Sequence, residues 1–574
     1  MIKKLYLSGV SETFDPETSQ ALGPWCFTGI EKYFPEWENL EFVDPFIENS
    51  KLKETENLSR RLSNRLVITW GERLNSRHNT SHSMSYWRFV LISWLLTSVQ
   101  NFLARYLHVE AFLHSYADEK FQIHLAPKVV PYKVDGFIEF QHSVRRDPRF
   151  DYWMTSWIVR YLAPKGWKLC EPESPYKWPE RKEAEQVPPF VSNEKSSVLG
   201  SLVQKAVGRL SFHSVPGVTW QKIPFSIFLN FLKRRLNGDV YFSLIDDNIL
   251  DLFPQIFLEG LDAYLKATLP VSYGERYLKL EEKAKQEKTY PGRIFVSNFM
   301  PSDEQRRLEF AHAVEAGEKL VTSQHGSGYG IARYLSWASE FEYVYHAFLT
   351  WGWKAHNDFR GKFFPVPSPQ LSKIKDAHRE KKPVLAMVAT KIDMSGSRFI
   401  GPRPNQWIRY RNLKRNFIIN LMPEPRMNLV YFSYQRGATD LEDEEYLTNH
   451  VGPLNFARKG LPKEMLGSRI LLLDCPSTSL LEGMAANVPT VCYWEPDTWP
   501  FCKQAEPYFA RLADVGILHH SPEAAASWVN KHWNDVSRWW QTSDVQDARL
   551  AWKDQFARTS RFWWFQWIQV LKNL

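Results

Sequence analysis

The stretch RILLLDCPSTSLLEGMAANVPTVCYW, residues 469–494, reads as a strand, a short polar loop, a helix and a second strand. An apolar run from Arg469 ends in a loop over residues 476–479. Helical spacing then carries on to about Asn487, and Pro489 opens another apolar run. A strand that turns into a helix and back into a strand is the repeating unit of a parallel α/β layer. The start of such a helix presents free N–H groups and a positive dipole end to an anion. Ser477, Thr478 and Ser479 add hydroxyls for phosphate oxygens, and Glu482, one turn later, accepts the hydroxyls of a ribose. This is the pattern of a nucleotide half-site. The same residues admit a second reading, in which Ser479 and Glu482 form a capping box that holds their own helix start.

Upstream and downstream of this unit the same alternation recurs. RIFVSNF, KLVTSQ and VYHAFLTWG read as strands from about residue 289, and PVLAMVAT and NLVYFSY as strands nearer the unit. The two groups are separated by FFPVPSPQLSKIKDAHREKKP, residues 363–383, rich in Pro, Lys and Ser. The expected organisation is an N-terminal acceptor-side α/β domain with helical insertions over residues 1–362 and a linker over 363–383. A C-terminal nucleotide-sugar-binding domain with a C-terminal helix follows over 384–574. In the first part LVITWG (66–71) and VYFSLID (240–246) read as strands, residues 86–107 as a Trp-rich helix, and 171–200 as a surface excursion. The tail RFWWFQWIQVLKNL reads as an amphipathic helix that packs onto the other domain or lies on a membrane surface.

A second strand-loop-helix site lies at SQHGSGYG, residues 323–330. Gly326, Gly328 and Gly330 permit tight turns and close approach by a ligand. With a helix starting near Ile331, the loop residues Gln324, Ser327 and Tyr329 would line a substrate site, and His325 would bind or exchange a proton with the ligand. The bland alternative is a glycine turn beside a satisfied buried histidine. One phosphate-type loop in each half implies two α/β domains facing across a cleft, the GT-B plan of two Rossmann-like domains.

Chemistry in that cleft needs a carboxylate or histidine within reach of the reacting atoms. Asp303 and Glu304 follow the strand RIFVSNF, Glu72 follows LVITWG, and Asp246 and Asp247 end VYFSLID. Each is also the kind of acid that caps a helix or sits solvated in a loop. Arg77 and His78, in NSRHNTSHSMSYW, are further candidates to line the cleft.

The chain has 574 residues, too many for a single hydrophobic core. Its 72 basic against 64 acidic residues give a net charge of +8, short of a nucleic-acid footprint and better suited to an anionic substrate or lipid surface. Aromatic residues reach 15%, with 24 Trp, enough for stacking surfaces beyond the core. Five scattered cysteines without a CxxC pair imply neither a zinc site nor a disulfide framework, and fit a reducing cytoplasm. The first twenty residues lack the apolar core of a signal peptide, and FVLISWLLTSVQNFLARYL is broken by polar residues, so no membrane span is expected. No metal or other cofactor is demanded, because no ligand cluster or DxD pair stands out.

Several stretches carry a resemblance. GPWCFTGI near Cys26, RLNSRHNTSHSMSYWRFVLISWLL, KLVTSQHGSGYG, FLTWGW and PSTSLLEGMAANVPTVCYWEPDTW together resemble a family of transferases of bacterial O-antigen and other surface-polysaccharide clusters. The two half-sites are also similar to those of capsule and lipopolysaccharide transferases that use CMP-activated ulosonic acids, Kdo and sialic-type nonulosonates. That resemblance implies a cytidine nucleotide-sugar donor held by Ser477, Thr478 and Ser479, and a glycan or lipid-linked glycan acceptor. It places the reaction in the cytoplasm, with peripheral contact at the inner membrane. The QHG stretch resembles glycerophosphotransferases of teichoic acid synthesis, which use CDP-glycerol and place a histidine in the cleft. SGYG stands here where those enzymes continue with threonine and proline. Polyol phosphate transfer is therefore the enzymatic alternative, and a non-catalytic glycan-binding or assembly protein the alternative of another class.

Overall fold

Short apolar runs bounded by polar residues, Gly or Pro become the strands of three parallel sheets, and amphipathic or fully apolar segments become the helices that cover them. The computed structural model describes residues 2–11, 13–30, 33–128, 133–170, 210–213, 248–287, 289, 294–297, 303–356, 362–390, 401–433, 441, 443–457 and 459–574. The expected strand 240–246, with Asp246 and Asp247, and the whole 171–200 excursion lie outside the described residues.

The first sheet has the order β2-β1-β3-β4, from Lys3–Tyr6 (β1), Ser19–Ala21 (β2), Phe121–His124 (β3) and Lys168–Cys170 (β4). The central sheet runs β5 to β9 in chain order. Its strands are Leu210–His213 (β5), Ile294–Ser297 (β6), Lys319–Ser323 (β7), Ala347–Thr350 (β8) and Phe363–Pro365 (β9). The third sheet has the order β12-β11-β10-β13-β14-β15. It comprises Leu385–Val388 (β10), Leu429–Phe432 (β11), Asn455–Ala457 (β12), Ile470–Leu473 (β13), Thr490–Tyr493 (β14) and Leu518–His519 (β15). Counted from β10, this is the 3-2-1-4-5-6 order of a doubly wound dinucleotide fold. Its order reverses between β10 and β13, where open α/β sheets form their crevice.

Nine helices position the site and are labelled in chain order. They are Asn49–His78 (α1), Met84–Ser115 (α2), Tyr277–Ala284 (α3), Glu304–Glu315 (α4), Ser336–Phe341 (α5), Trp407–Ile419 (α6), Thr478–Ala486 (α7), Ser543–Phe556 (α8) and Trp563–Asn573 (α9).

LVITWG is not a strand. It lies inside α1, where Val67, Trp70, Gly71 and Leu74 are buried at the i, i+3, i+4, i+7 spacing of one helix face. The Trp-rich region forms α2, buried on most of its circumference. No helix among the described residues is long and apolar enough to cross a membrane.

The expected linker begins in the central sheet, since Phe363–Pro365 pairs with β8. After β15 the chain returns to that sheet. The Gly352 backbone (φ +130°) sits so close to the end of α8 that a Cβ there would lie 2.3 Å from the Asp554 carbonyl oxygen. Trp567 and Leu571 of α9 then pack with Val296, Val321, Ala347, Leu349 and Val366. Trp567 Nε1 donates to the Pro367 carbonyl at 2.8 Å. The Trp-rich tail is thus a lid on the central sheet, and the two α/β units are joined by a crossing helix. A continuous apolar cluster seals their contact, with Tyr329, Ile331, Leu335 and Trp353 on one side and Leu471, Leu480, Met484 and Trp494 on the other.

Candidate active site

The loop after β7 is fastened by Gln324, buried at 1% exposure. Its side-chain oxygen accepts from Trp351 N and Trp353 Nε1, both at 2.9 Å, and its amide nitrogen donates to the Gly326 carbonyl at 3.0 Å. One residue therefore ties the C-terminal ends of β7 and β8 together. Each glycine that follows has its own reason. Gly328 and Gly330 have φ of +90° and +69°, and a Cβ on Gly326 would lie 3.3 Å from Thr478 Oγ1.

The helix expected at Ile331 does not form there. Ala332 makes an antiparallel bridge with Phe501, Arg333 N donates to Pro500 O, and Cys502 N donates to Ile331 O. The backbone is diverted into pairing with the other unit, and α5, six residues long, starts only at Ser336. The loop is therefore no helix-start anion nest; its chemistry lies in its side chains. His325 Nε2 is hydrogen-bonded to Tyr329 OH and lies 3.4 Å from Glu342 Oε1, with the Trp337 ring centroid 5.9 Å away. The His325 side chain is 25% exposed and Glu342 is buried behind it. Burial holds the Glu342 carboxyl above its usual range, and the neighbouring His325 and Tyr329 offset only part of that rise. A carboxylate backing an accessible histidine is the orientation used by general bases.

Opposite this loop, Asp474 directly follows β13 and is buried. Burial first of all pushes its carboxyl up to about 6. Asp474 Oδ1 accepts from Thr390 N at 2.9 Å. Lys414 of α6, also buried, donates to Thr390 O at 2.8 Å and pairs with Asp443. This network closes the seam between β10 and β13 beneath the loop that opens α7. Ser477 is the N-cap of α7 but makes no side-chain cap bond, and its buried Oγ finds no nitrogen or oxygen partner among the described residues, only the neighbouring Cys475 thiol. The capping box is not formed, because the helix begins one residue before Ser479. Glu482 is half-buried, makes no ion pair or hydrogen bond among the described residues, and burial alone raises its carboxyl above the usual range. A polar helix start with an idle hydroxyl and an idle carboxylate is an unfilled demand for partners. The two loops meet where Ser327 N donates to Thr478 Oγ1 at 3.3 Å.

The family model of the LIC12162 family transferase matches residues 3–571. The chain belongs to that family. It is therefore a transferase, and the site lies between two sheets that the family model spans together. No curated protein matches it. Among solved structures it is similar to MurG of Acinetobacter baumannii, with 12% identity over 52% of this chain and 78% of that one and a TM-score of 0.30. It is also similar to WaaG, a glycosyltransferase involved in lipopolysaccharide biosynthesis, with 11% identity over 58% and 85% of the two chains and a TM-score of 0.24.

The transferase leaves its other sequence candidates outside this meeting point. Asp303 caps α4, its Oδ1 accepting from Gln305 N at 2.9 Å. Glu304 accepts from Phe137 N at 2.7 Å and lies 3.2 Å from Arg307 Nε, so it is occupied in joining α4 to the N-terminal unit. Glu72 is an exposed residue of α1 rather than a strand-end acid. Arg60, twelve residues earlier on α1, bonds Glu340 behind the His325 loop. At ~1.5 Å per residue Glu72 lies about 18 Å further along the axis and His78 about 27 Å. His78 is buried, bonded through Nε2 to Tyr273 O at 3.0 Å and stacked on Tyr277, and Arg77 sits beside Gly274. Glu342 and Asp474 were not anticipated by sequence reasoning. The signal for Asp474 was its place directly after the apolar run ILLL. Nothing local marks Glu342 out in SEFEYV.

Proposed function

We propose that this transferase moves a glycosyl unit from a cytidine nucleotide sugar, a CMP-linked ulosonic acid of the Kdo or nonulosonate class, onto a surface-glycan hydroxyl. The carrying observation is the direct approach of two loops from two parallel sheets, Ser327 to Thr478, with a histidine-carboxylate pair on one side and an unpartnered helix start on the other. His325 takes the proton of the acceptor hydroxyl as the new bond to the anomeric carbon forms, and Glu342 holds the ring in position. The departing phosphate is received at the start of α7 by the Ser477 and Thr478 hydroxyls and the helix dipole, which stabilise negative charge without a metal. Ser479 lies in the same first turn, and Glu482 accepts ribose hydroxyls. The ulosonate class rests on the likeness of the two half-sites to CMP-ulosonate transferases. Acceptors of that kind are lipid-linked, so the reaction is placed at the inner face of the cytoplasmic membrane.

The His325–Glu342 pair also suits transfer of a polyol phosphate from a CDP donor, with the histidine activating the same acceptor hydroxyl. Release of CMP from CMP-Kdo, CMP-neuraminate and CDP-glycerol separates the readings. The expected result is CMP release from a CMP-ulosonate, stimulated by glycan acceptor and lost in His325→Ala while nucleotide binding persists. Consumption of CDP-glycerol alone would replace the sugar donor by a polyol phosphate. Glycan binding with no turnover of any nucleotide donor would leave a non-catalytic role.

A further inference from the structure

The segment SRHNTSHSMSYW, which the cleft does not use, builds a second polar centre at the turn between α1 and α2. Asn75 clamps this turn. Its Oδ1 accepts from His82 N at 3.0 Å, Thr80 Oγ1 at 2.9 Å and Trp87 Nε1 at 2.9 Å, and its Nδ2 donates to His82 O at 3.0 Å. The imidazole of His82 is thereby held in one place, stacked on Tyr86 with ring centroids 3.8 Å apart. Two further helices bring polar groups to it. From α4 come Glu315, whose Oε2 lies 2.8 Å from His82 Nδ1, and His312, whose ring centroid is 5.2 Å from that of His82. From α3 comes Glu281, bonded to His82 Nε2 and 2.9 Å from Lys285 Nζ. The second oxygen of Glu315 accepts from Ser83 N at 2.6 Å.

Two features mark this centre as more than an ion-paired histidine. The ligand atoms of His82, His312 and Glu315 all lie within 4.8 Å of one another. Tetrahedral zinc, at about 2.0–2.2 Å from each ligand, sets its ligands roughly 3.3–3.6 Å apart, which small side-chain rotations reach. In addition, His312 Nε2 is buried with no hydrogen-bond partner among the described residues. An orphaned imidazole nitrogen beside a second imidazole and a carboxylate wants a Lewis acid or a proton donor, and no donor is offered.

We propose that His82 Nδ1, His312 Nε2 and Glu315 bind one divalent ion of the zinc class. The donor set of two imidazoles and one carboxylate suits Zn(II), Co(II) or Ni(II), not the all-oxygen shells of Mg(II) or Ca(II). Glu281 completes the arrangement as the carboxylate that receives the other ring N–H of a metal-bound histidine, which fixes the tautomer and orientation of His82. Lys285 offsets the charge of Glu281. The role is structural. Glu315 closes α4 and β7 begins at Lys319, so this centre sits at the N-terminal edge of the central sheet, whereas His325 follows the other end of β7. The ion would pin the α1–α2 turn, α3 and α4 together, stabilising the scaffold that carries the His325 loop.

The test uses full-length, tag-free protein dialysed against a chelator. Titration with Co(II) is expected to give a visible d–d band saturating at one equivalent and displaced by Zn(II), and Zn(II) to raise the melting temperature. His312→Phe, which keeps the ring volume and removes the nitrogen, is expected to abolish the band while the metal-free protein melts as wild type does. Glu281→Gln is expected to keep one site and weaken it ~10–100-fold. X-ray absorption of the Zn(II)-loaded wild type is expected to show two imidazoles, a measurement that needs no variant. No stoichiometric binding at micromolar metal would overturn the proposal in favour of a protonated His82 held between two carboxylates. An undiminished site in folded His312→Phe, or fewer than two imidazoles around the metal, would overturn it as well.

Discussion

Glu340→Gln tests whether the His325 loop is held from behind by charge. Glu340 is fully buried and accepts from Arg60 Nε at 2.8 Å, Arg88 Nη2 at 2.6 Å and Asn64 Nδ2 at 2.9 Å, and its carbonyl accepts from Arg88 Nη1 at 2.9 Å. These neighbours, the two guanidiniums foremost, more than offset its burial and hold its carboxyl below the usual range. Glutamine keeps the shape and one acceptor oxygen but removes the carboxylate that pairs with both guanidiniums, leaving Glu56, 4.0 Å from Arg60 Nε, as the remaining acid beside Arg60. Arg88, 4% exposed, loses its carboxylate partner while it stays buried, and keeps its bond to the Glu340 carbonyl. Arg60, with 24% of its side chain in water, is penalised less. Removing one partner of a buried pair costs ~3–5 kcal/mol, and the partial exposure of Arg60 places this case near 3. For a unit of this size that lowers the melting temperature by about 6–12 °C.

Calorimetry of both proteins at pH 7 and at pH 3.5 measures the loss and its sign. A carboxyl whose folded pKa is depressed contributes stability above its unfolded pKa of about 4.3, and this is lost as pH falls through the lower, folded value. The gap between wild type and variant should therefore narrow on acidification. A loss below about 1 kcal/mol, or a gap that does not change with pH, would refute the argument. Because Glu342 directly follows α5, the helix that carries Glu340, transfer activity should fall together with stability.

Gly330→Ala should destabilise the chain by more than about 2 kcal/mol and abolish activity, because φ is +69° and the added Cβ would meet the Trp353 ring at 2.5 Å. A folded, active variant in denaturant titration would contradict that geometry. Glu482→Gln should weaken nucleotide binding ~10–100-fold through loss of a charged acceptor. Glu482 has a raised carboxyl, so ribose binding by its ionised form weakens as pH falls through that raised value. Calorimetric binding should therefore be tighter at pH 8 than at pH 5 in wild type, and lose this dependence in the variant.

The third sheet was legible because ILLL, TVCY and LAMV are short runs buried on both faces and bounded by Pro or polar residues. Asn487, at φ +64°, marks the helix end in sequence as it does in space. LVITWG misled because a buried helix segment rich in β-branched and aromatic residues has the composition of a strand, and only Leu74, beyond the window, completes the helical period. The His325 loop was legible from its glycines, but its partner was not. Glu342 reaches His325 through a turn diverted by pairing with Phe501, a contact between distant segments that no local pattern encodes. The same holds for His82 and His312, brought together by packing of α1, α2 and α4.

The central claim is that the start of α7 receives the phosphate of a cytidine nucleotide. Its most direct test is the melting temperature of wild type and Ser477→Ala with CMP, CDP, UDP and GDP, confirmed by calorimetry, since a ligand that binds only the folded state must stabilise it. Stabilisation selective for cytidine nucleotides, weakened at least tenfold in Ser477→Ala, is the predicted result. Equal binding by the variant, or no stabilisation by any nucleotide, would contradict it.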